Sequence, residues 1–132
     1  MIYLDSSALL KLLFEEDESA ALEKWVSDRA AMPTLSSELV KIEVIRAARR
    51  LDPSVVPAAR SLVAQLDLIP MTTGLVEEAA DVGDSLLRSL AAIHLASAIS
   101  VGSELTAFVA YDTRLMSAAN AAGLPAIRPA TS

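Results

Sequence analysis

The 132-residue sequence predicts an α/β fold, a three-layer α/β/α sandwich with a mainly parallel central sheet. Three observations lead there. The strand-like runs are short and wholly apolar, as expected where both faces of a sheet are covered. They alternate with segments of helical periodicity. Two of them also end alike, in an aspartate and a hydroxyl ahead of a helix: Leu4-Asp5-Ser6 and Tyr111-Asp112-Thr113. Parallel strands place both carboxylates on the C-terminal edge of the sheet, where open α/β sheets bind their ligands.

The first strand is Ile2-Tyr3-Leu4. Asp5 after it has two readings, as the N-cap of the helix that follows or as a site acid. Ser7 to Phe14 is a short apolar helix, broken by the acids Glu15 to Glu18, which read as a solvated turn. A second helix runs about Glu18 to Arg29, with Leu22, Trp25 and Val26 inward. Pro33-Thr34-Leu35 is a brief strand, and Ser36 or Ser37 is expected to cap a helix reaching Arg50. On that helix Leu39, Ile42, Val44 and Ile45 are expected to be buried, with Glu43 half-buried between them, its bland reading being an intrahelical pair with Arg46 or packing on the Ala47 side.

Asp52-Pro53 is a cap followed by a helix-starting proline, leading to a stripe of Val56, Ala59, Val63 and Leu66. Leu68 to Met71 reads as a strand at an edge, because of Pro70. The helix after Thr72 or Thr73 is expected to carry Leu75, Ala79, Val82 and Leu86 on one face. Leu90 to Val101 is apolar nearly all round and is placed in the interior. Leu105 to Tyr111 is a strand, Thr113 to Ala122 a helix stopped by Gly123, and Leu124 to Arg128 an edge strand; Pro129 to Ser132 are expected to fray.

The length suits a single domain, residues 1–132, with a core that needs neither disulfide nor metal. There is no cysteine, no signal peptide is visible, and no apolar run is long enough to span a bilayer, so a cytoplasmic protein is expected. A net charge of −6 argues against a broad basic nucleic-acid surface. Attraction for phosphate must then be local, through cationic side chains or bound metal.

Carboxylates gathered on one sheet edge repel each other unless a cation lies between them. Carboxylate oxygens with water suit Mg²⁺ or Mn²⁺ rather than zinc, since the chain has no cysteine and one histidine. Such a site can activate water against a phosphodiester.

Four stretches then carry a resemblance: Met1 to Leu9, Ser37 to Ala47, Leu90 to Ala98 and Phe108 to Leu115. In order and spacing, over nearly the whole chain, they resemble a PIN domain, and within that family the VapC toxins of bacterial toxin–antitoxin pairs. The resemblance implies a Mg²⁺- or Mn²⁺-dependent endoribonuclease. It also implies homodimerisation and a VapB-type antitoxin whose C-terminal segment wraps the toxin and often places an arginine in the acidic site. The apolar helices near the N-terminus are expected to form the antitoxin groove.

Matched residue by residue, Asp5, Glu43 and Asp112 stand at the family's metal-binding acids, and Ser6, Ser7 or Thr113 can orient metal-bound water. The sequence departs from the family at Ala91, in Leu90-Ala91-Ala92-Ile93-His94, where an acid is usual. Losing that carboxylate should weaken metal placement and hence rate. The chain is therefore expected to be impaired, through natural degeneration or through a substitution made so that a toxic protein could be produced. The alternative is a catalytically inactive PIN-fold module that binds antitoxin or RNA. His94 reads as a packed, hydrogen-bonded structural residue, with direct catalysis the lesser reading. Arg46 and Arg114 either pair with Glu43 and Asp112 or contact RNA phosphate, pairing being the simpler reading. Met71 and Met116 read as core or groove lining.

A nucleophilic-aspartate phosphotransferase would want a second aspartate where Ser7 stands. A phospho-accepting signalling domain would want a lysine after a late strand, and Lys11, Lys24 and Lys41 all fall early.

Overall fold

The computed structural model describes residues 1–130. In chain order the strands are β1 (Ile2–Leu4), β2 (Thr34–Ser37), β3 (Asp67–Ile69), β4 (Ala107–Val109) and β5 (Ala126–Ile127). The helices are α1 (Ser6–Leu13), α2 (Ser19–Ser27), α3 (Val40–Leu51), α4 (Val56–Ala64), α5 (Thr73–Asp81), α6 (Ser89–Val101) and α7 (Thr113–Ala121). The strands form one sheet in the order β3-β2-β1-β4-β5, parallel at every pairing. β1 lies at the centre, with Tyr3 opposite Leu35 of β2 and Phe108 of β4.

Alternation along β1 explains the three layers. Ile2 and Leu4 pack with Leu9, Leu22, Val40, Val44 and Val63, from α1 to α4, on one face. Tyr3 points the other way, into a core with Leu95, Phe108 and Leu115 on the side of α6 and α7. Both faces are thus dry, which is why the strand shows no polar alternation.

Several expectations need correction. Ile42 is 59% exposed, because the buried positions Val40, Val44, Ala47 and Ala48 repeat at four and three residues and Ile42 falls on the far side of α3. Ser36 and Ser37 belong to β2, and Ser37 Oγ accepts from the Leu39 amide just before α3 begins. α5 ends at Asp81, so Leu86 is off the helix and 69% exposed. The stop comes at Gly83, whose φ of 71° favours glycine, and a β-carbon there would lie 2.9 Å from Leu87 Cδ2. α6 is not enclosed all round, since Leu90 and Ile99 are exposed.

β4 is shorter than Leu105 to Tyr111. The Leu105 amide closes a turn onto the Gly102 carbonyl, and the Tyr111 amide bonds to Ser7 Oγ instead of joining the ladder. Pro129 does not fray: it is buried and its carbonyl accepts from the Tyr111 hydroxyl at 2.7 Å. Thr131 and Ser132 lie outside the described residues. Among the described residues no helix is long and apolar enough to cross a membrane.

Candidate active site

The sheet changes direction of growth beside β1: β2 and β3 follow on one side, β4 and β5 on the other. Such a switch point leaves a crevice at the C-terminal ends of the two central strands. Asp5 leaves β1 and Asp112 follows β4 at this crevice, and both line a cleft of about 310 Å³ with Ser6, Ser7, Glu43 and Ala91. Arg88, Ser89, Leu90, His94 and Leu115 complete its walls. A neighbouring recess of about 420 Å³ shares Arg88, Ala91 and Asp112 and adds Thr113 and Arg114.

Asp5 takes both of its readings at once. Its Oδ1 accepts from the Ala8 amide at 2.9 Å, capping α1, and from Ser7 Oγ at 2.6 Å. Its Oδ2 carries no protein hydrogen bond among the described residues. Asp112 repeats the design: Oδ1 accepts from the Leu115 amide at 3.0 Å and caps α7. A cap uses one carboxylate oxygen and leaves the other for the cleft. Asp5 is buried and Asp112 exposed. Burial raises the Asp5 carboxyl above its ordinary value, against the lowering effects of His94, the Ser7 hydroxyl and the Ala8 amide; Glu43 adds to the rise.

Ser7 joins the two strand ends. Its hydroxyl donates to Asp5 and accepts from the Tyr111 amide at 3.1 Å, immediately before Asp112. One serine therefore connects β1 to the loop after β4, so less of its hydroxyl is left for a water than the sequence reading supposed. Ser6 and Thr113 line the two recesses.

Glu43 is half-buried as expected, but Arg46 is not its partner. Its Oε1 lies 2.7 Å from His94 Nε2, and His94 Nδ1 lies 2.7 Å from the Tyr3 hydroxyl. A carboxylate only accepts, so Nε2 donates to Glu43; in the tautomer protonated at Nε2 alone, Nδ1 accepts from the Tyr3 hydroxyl. Burial holds the Tyr3 phenol far above its ordinary range, which keeps that donor protonated. The Tyr3 ring stacks on Phe108, 5.2 Å between centroids, fixing the far end of the chain of bonds. Arg114 likewise does not pair with Asp112; its Nη1 lies 3.5 Å from the Leu86 carbonyl, at the limit of a hydrogen bond.

Sequence reasoning missed Tyr3 and Arg88. A tyrosine between Ile2 and Leu4 in a dry strand needs a partner for its hydroxyl, and that requirement is the signal that could have led to His94. Arg88 has no such signal, because it lies in the loop ahead of α6 and reaches the cleft only through the fold.

Ala91 lies in the first turn of α6 and lines both recesses. An acid there would face the same cleft as Asp5 and Asp112. Among the described residues, no three histidine, aspartate or glutamate side chains are grouped to hold a metal ion outright.

A PIN-domain family model matches residues 2–121. Curated relatives include Ribonuclease VapC35 of Mycobacterium tuberculosis, strain H37Rv, 44% identical over 131 residues, 98% of this chain and 97% of that protein. Ribonuclease VapC47 of M. tuberculosis, strain CDC 1551, is 39% identical over 98% of this chain and 97% of its own length. Ribonuclease VapC46 of strain H37Rv is 39% identical over 97% of each. The chain belongs to the PIN-domain family, as a VapC-type member.

Proposed function

We propose that this chain is a divalent-metal-dependent endoribonuclease, the toxin of a toxin–antitoxin pair, hydrolysing RNA phosphodiesters in the cleft of Asp5, Glu43 and Asp112. The observation that carries the proposal is the convergence of Asp5 and Asp112 on one cleft at the switch point, each capping a helix through a single carboxylate oxygen. The ribonuclease names of full-length relatives support the substrate class.

The donor set fits a hard divalent ion. Asp5, Asp112 and Glu43 supply only oxygens, and Mg²⁺ commonly keeps several waters while using one or two carboxylates. Among the described residues these carboxylates are not grouped as a complete cage, so waters would have to supply the rest of the ion's coordination. Bound there, the ion would polarise the scissile phosphate and lower the pKa of a bound water. The chain's own part is positional. The caps and Ser7 fix Asp5 and Asp112, Tyr3 and His94 orient Glu43, and Arg88 and Arg114 at the rim face incoming phosphate.

Ala91 favours a second reading, a PIN-fold module that binds RNA or a VapB-type antitoxin and cuts little or not at all. As a VapC-type member the chain is also proposed to form a homodimer. Purified, antitoxin-free protein incubated with structured RNA and Mg²⁺ or Mn²⁺ separates the two. Slow cleavage that Ala91→Asp accelerates and Asp5→Ala abolishes supports the nuclease. Ala91→Asp protein that cuts no RNA leaves the binding module.

A further inference from the structure

The positive side chains are not spread evenly. Among the described residues, Lys11, Lys24 and Arg128 pair with Glu16 and Glu18, Asp28, and Glu18 respectively. Arg29 lies over the Trp25 ring at 4.1 Å. Lys41, Arg46, Arg49, Arg50, Arg60, Arg88 and Arg114 pair with no acid among the described residues, and of these Arg46, Arg49 and Arg50 together line a surface recess of about 330 Å³ on α3. All three are exposed.

Their position on the helix links them to the cleft. Glu43, Arg46 and Arg50 stand at i, i+3 and i+7, along one stripe, with Arg49 beside it. At 1.5 Å per residue the stripe runs about 10 Å from Glu43. A stacked strand advances about 3.4 Å per nucleotide, so it reaches phosphates up to roughly three nucleotides from the cleft.

A simpler role explains part of the cluster. Arg49 and Arg50 lie in the last turn of α3 and complement the negative end of its dipole. Arg46, a turn earlier, gains little from that, and the dipole does not require all three to close on one recess. Guanidinium groups crowded without an acid are favoured by an anion between them, and their planar donors match phosphate oxygens.

We infer that Arg46, Arg49 and Arg50 form a phosphate-binding patch that holds an RNA strand beside the cleft. This rests on the ribonuclease reading above and adds an anchoring surface outside the carboxylates. An acidic protein segment would satisfy the same charges, but continuity with Glu43 favours the polymer that must enter the cleft. A chain of net charge −6 also repels RNA in general, so a local foothold matters more.

The test is fluorescence anisotropy of a labelled single-stranded RNA oligonucleotide of mixed sequence, with EDTA present so that nothing is cut, across a salt series. The full chain is compared with a triple variant, Arg46→Gln, Arg49→Gln, Arg50→Gln. A control of equal charge change carries Lys24→Gln, Arg29→Gln, Arg128→Gln. Three lost phosphate contacts should make the slope of log affinity against log salt about 2 shallower, so the parent loses roughly 20-fold more affinity between 50 and 200 mM salt. The control should keep the parent slope.

An unchanged slope in the patch variant, equal flattening in the control, or patch-dependent binding of poly-glutamate in preference to RNA overturns the inference. Cleavage by the Ala91→Asp chain is scored separately. Cleavage with an unchanged slope leaves the nuclease and removes the patch; a flattened slope without cleavage keeps the patch and removes the nuclease.

Discussion

His94 joins α6 to α3: its Nε2 lies 2.7 Å from Oε1 of Glu43, while its other nitrogen meets the Tyr3 hydroxyl on β1. One imidazole thus orients a cleft carboxylate from the centre of the sheet. Tyr3→Phe keeps the stack on Phe108 but removes the donor to a buried nitrogen. It should cost about 1–3 kcal/mol, read as a lower urea midpoint at unchanged m-value. In an Ala91→Asp background it should also lower cleavage by loosening Glu43. A midpoint equal to the parent's would show that the hydroxyl carries no weight.

Ala91→Asp is expected to raise divalent-ion affinity and RNA cleavage by roughly 10–100-fold, the range seen when a group supporting a metal site is changed. Fold stability should move by less than about 1 kcal/mol. Aspartate is a poorer helix former than alanine, but position 91 lies in the first turn of α6, where an acid complements the helix dipole. Titration calorimetry with Mg²⁺ and a gel cleavage assay check the two effects separately.

Burial raises the Asp5 carboxyl, so the folded chain holds that proton more tightly than the unfolded chain does. As pH climbs from the unfolded value near 3.8 through the raised folded value, stability is lost, and at neutral pH ionised Asp5 is a net cost. Asn still caps a helix. Asp5→Asn should therefore raise the urea midpoint at pH 7 in EDTA, with the gain vanishing below about pH 3.8. A variant less stable than the parent at pH 7 contradicts this. The same variant should lose cleavage in the Ala91→Asp background, an exchange of stability for function.

Ser7→Ala removes the hydroxyl between Asp5 and the Tyr111 amide. Leaving that amide unpaired should cost about 1–3 kcal/mol, and the two aspartates lose their common tether. Amide hydrogen exchange at Tyr111 should accelerate ahead of the rest of β4, a local signature that a uniform loss of stability would lack.

Much of the fold was legible because periodicity reports burial: Ile2-Tyr3-Leu4 and Phe108-Val109 lack polar positions, and the two strand–Asp–hydroxyl junctions announce the cleft edge. The misreadings came where an apolar residue does not mean a buried one. Ile42 and Leu86 look like core in sequence, yet helical phase turns the first outward and Gly83 ends the helix before the second. Partners across space were the least legible. The sequence reading gave Glu43 to Arg46 because helix neighbours are visible in a sequence; His94 lies 51 positions away and wins through a buried contact. The recess of three arginines was hidden for the same reason, since it depends on which cations find acids elsewhere.

The tether between Ser7 and Tyr111 joins residues 104 positions apart. A ribosome needs roughly 5–20 s to make that much chain. Until then β1, the middle strand, lacks its β4 neighbour, and Asp5 waits without Asp112. The acidic cleft is thus a property of a nearly finished polypeptide, and the nascent chain carries no assembled site while most of it is being made.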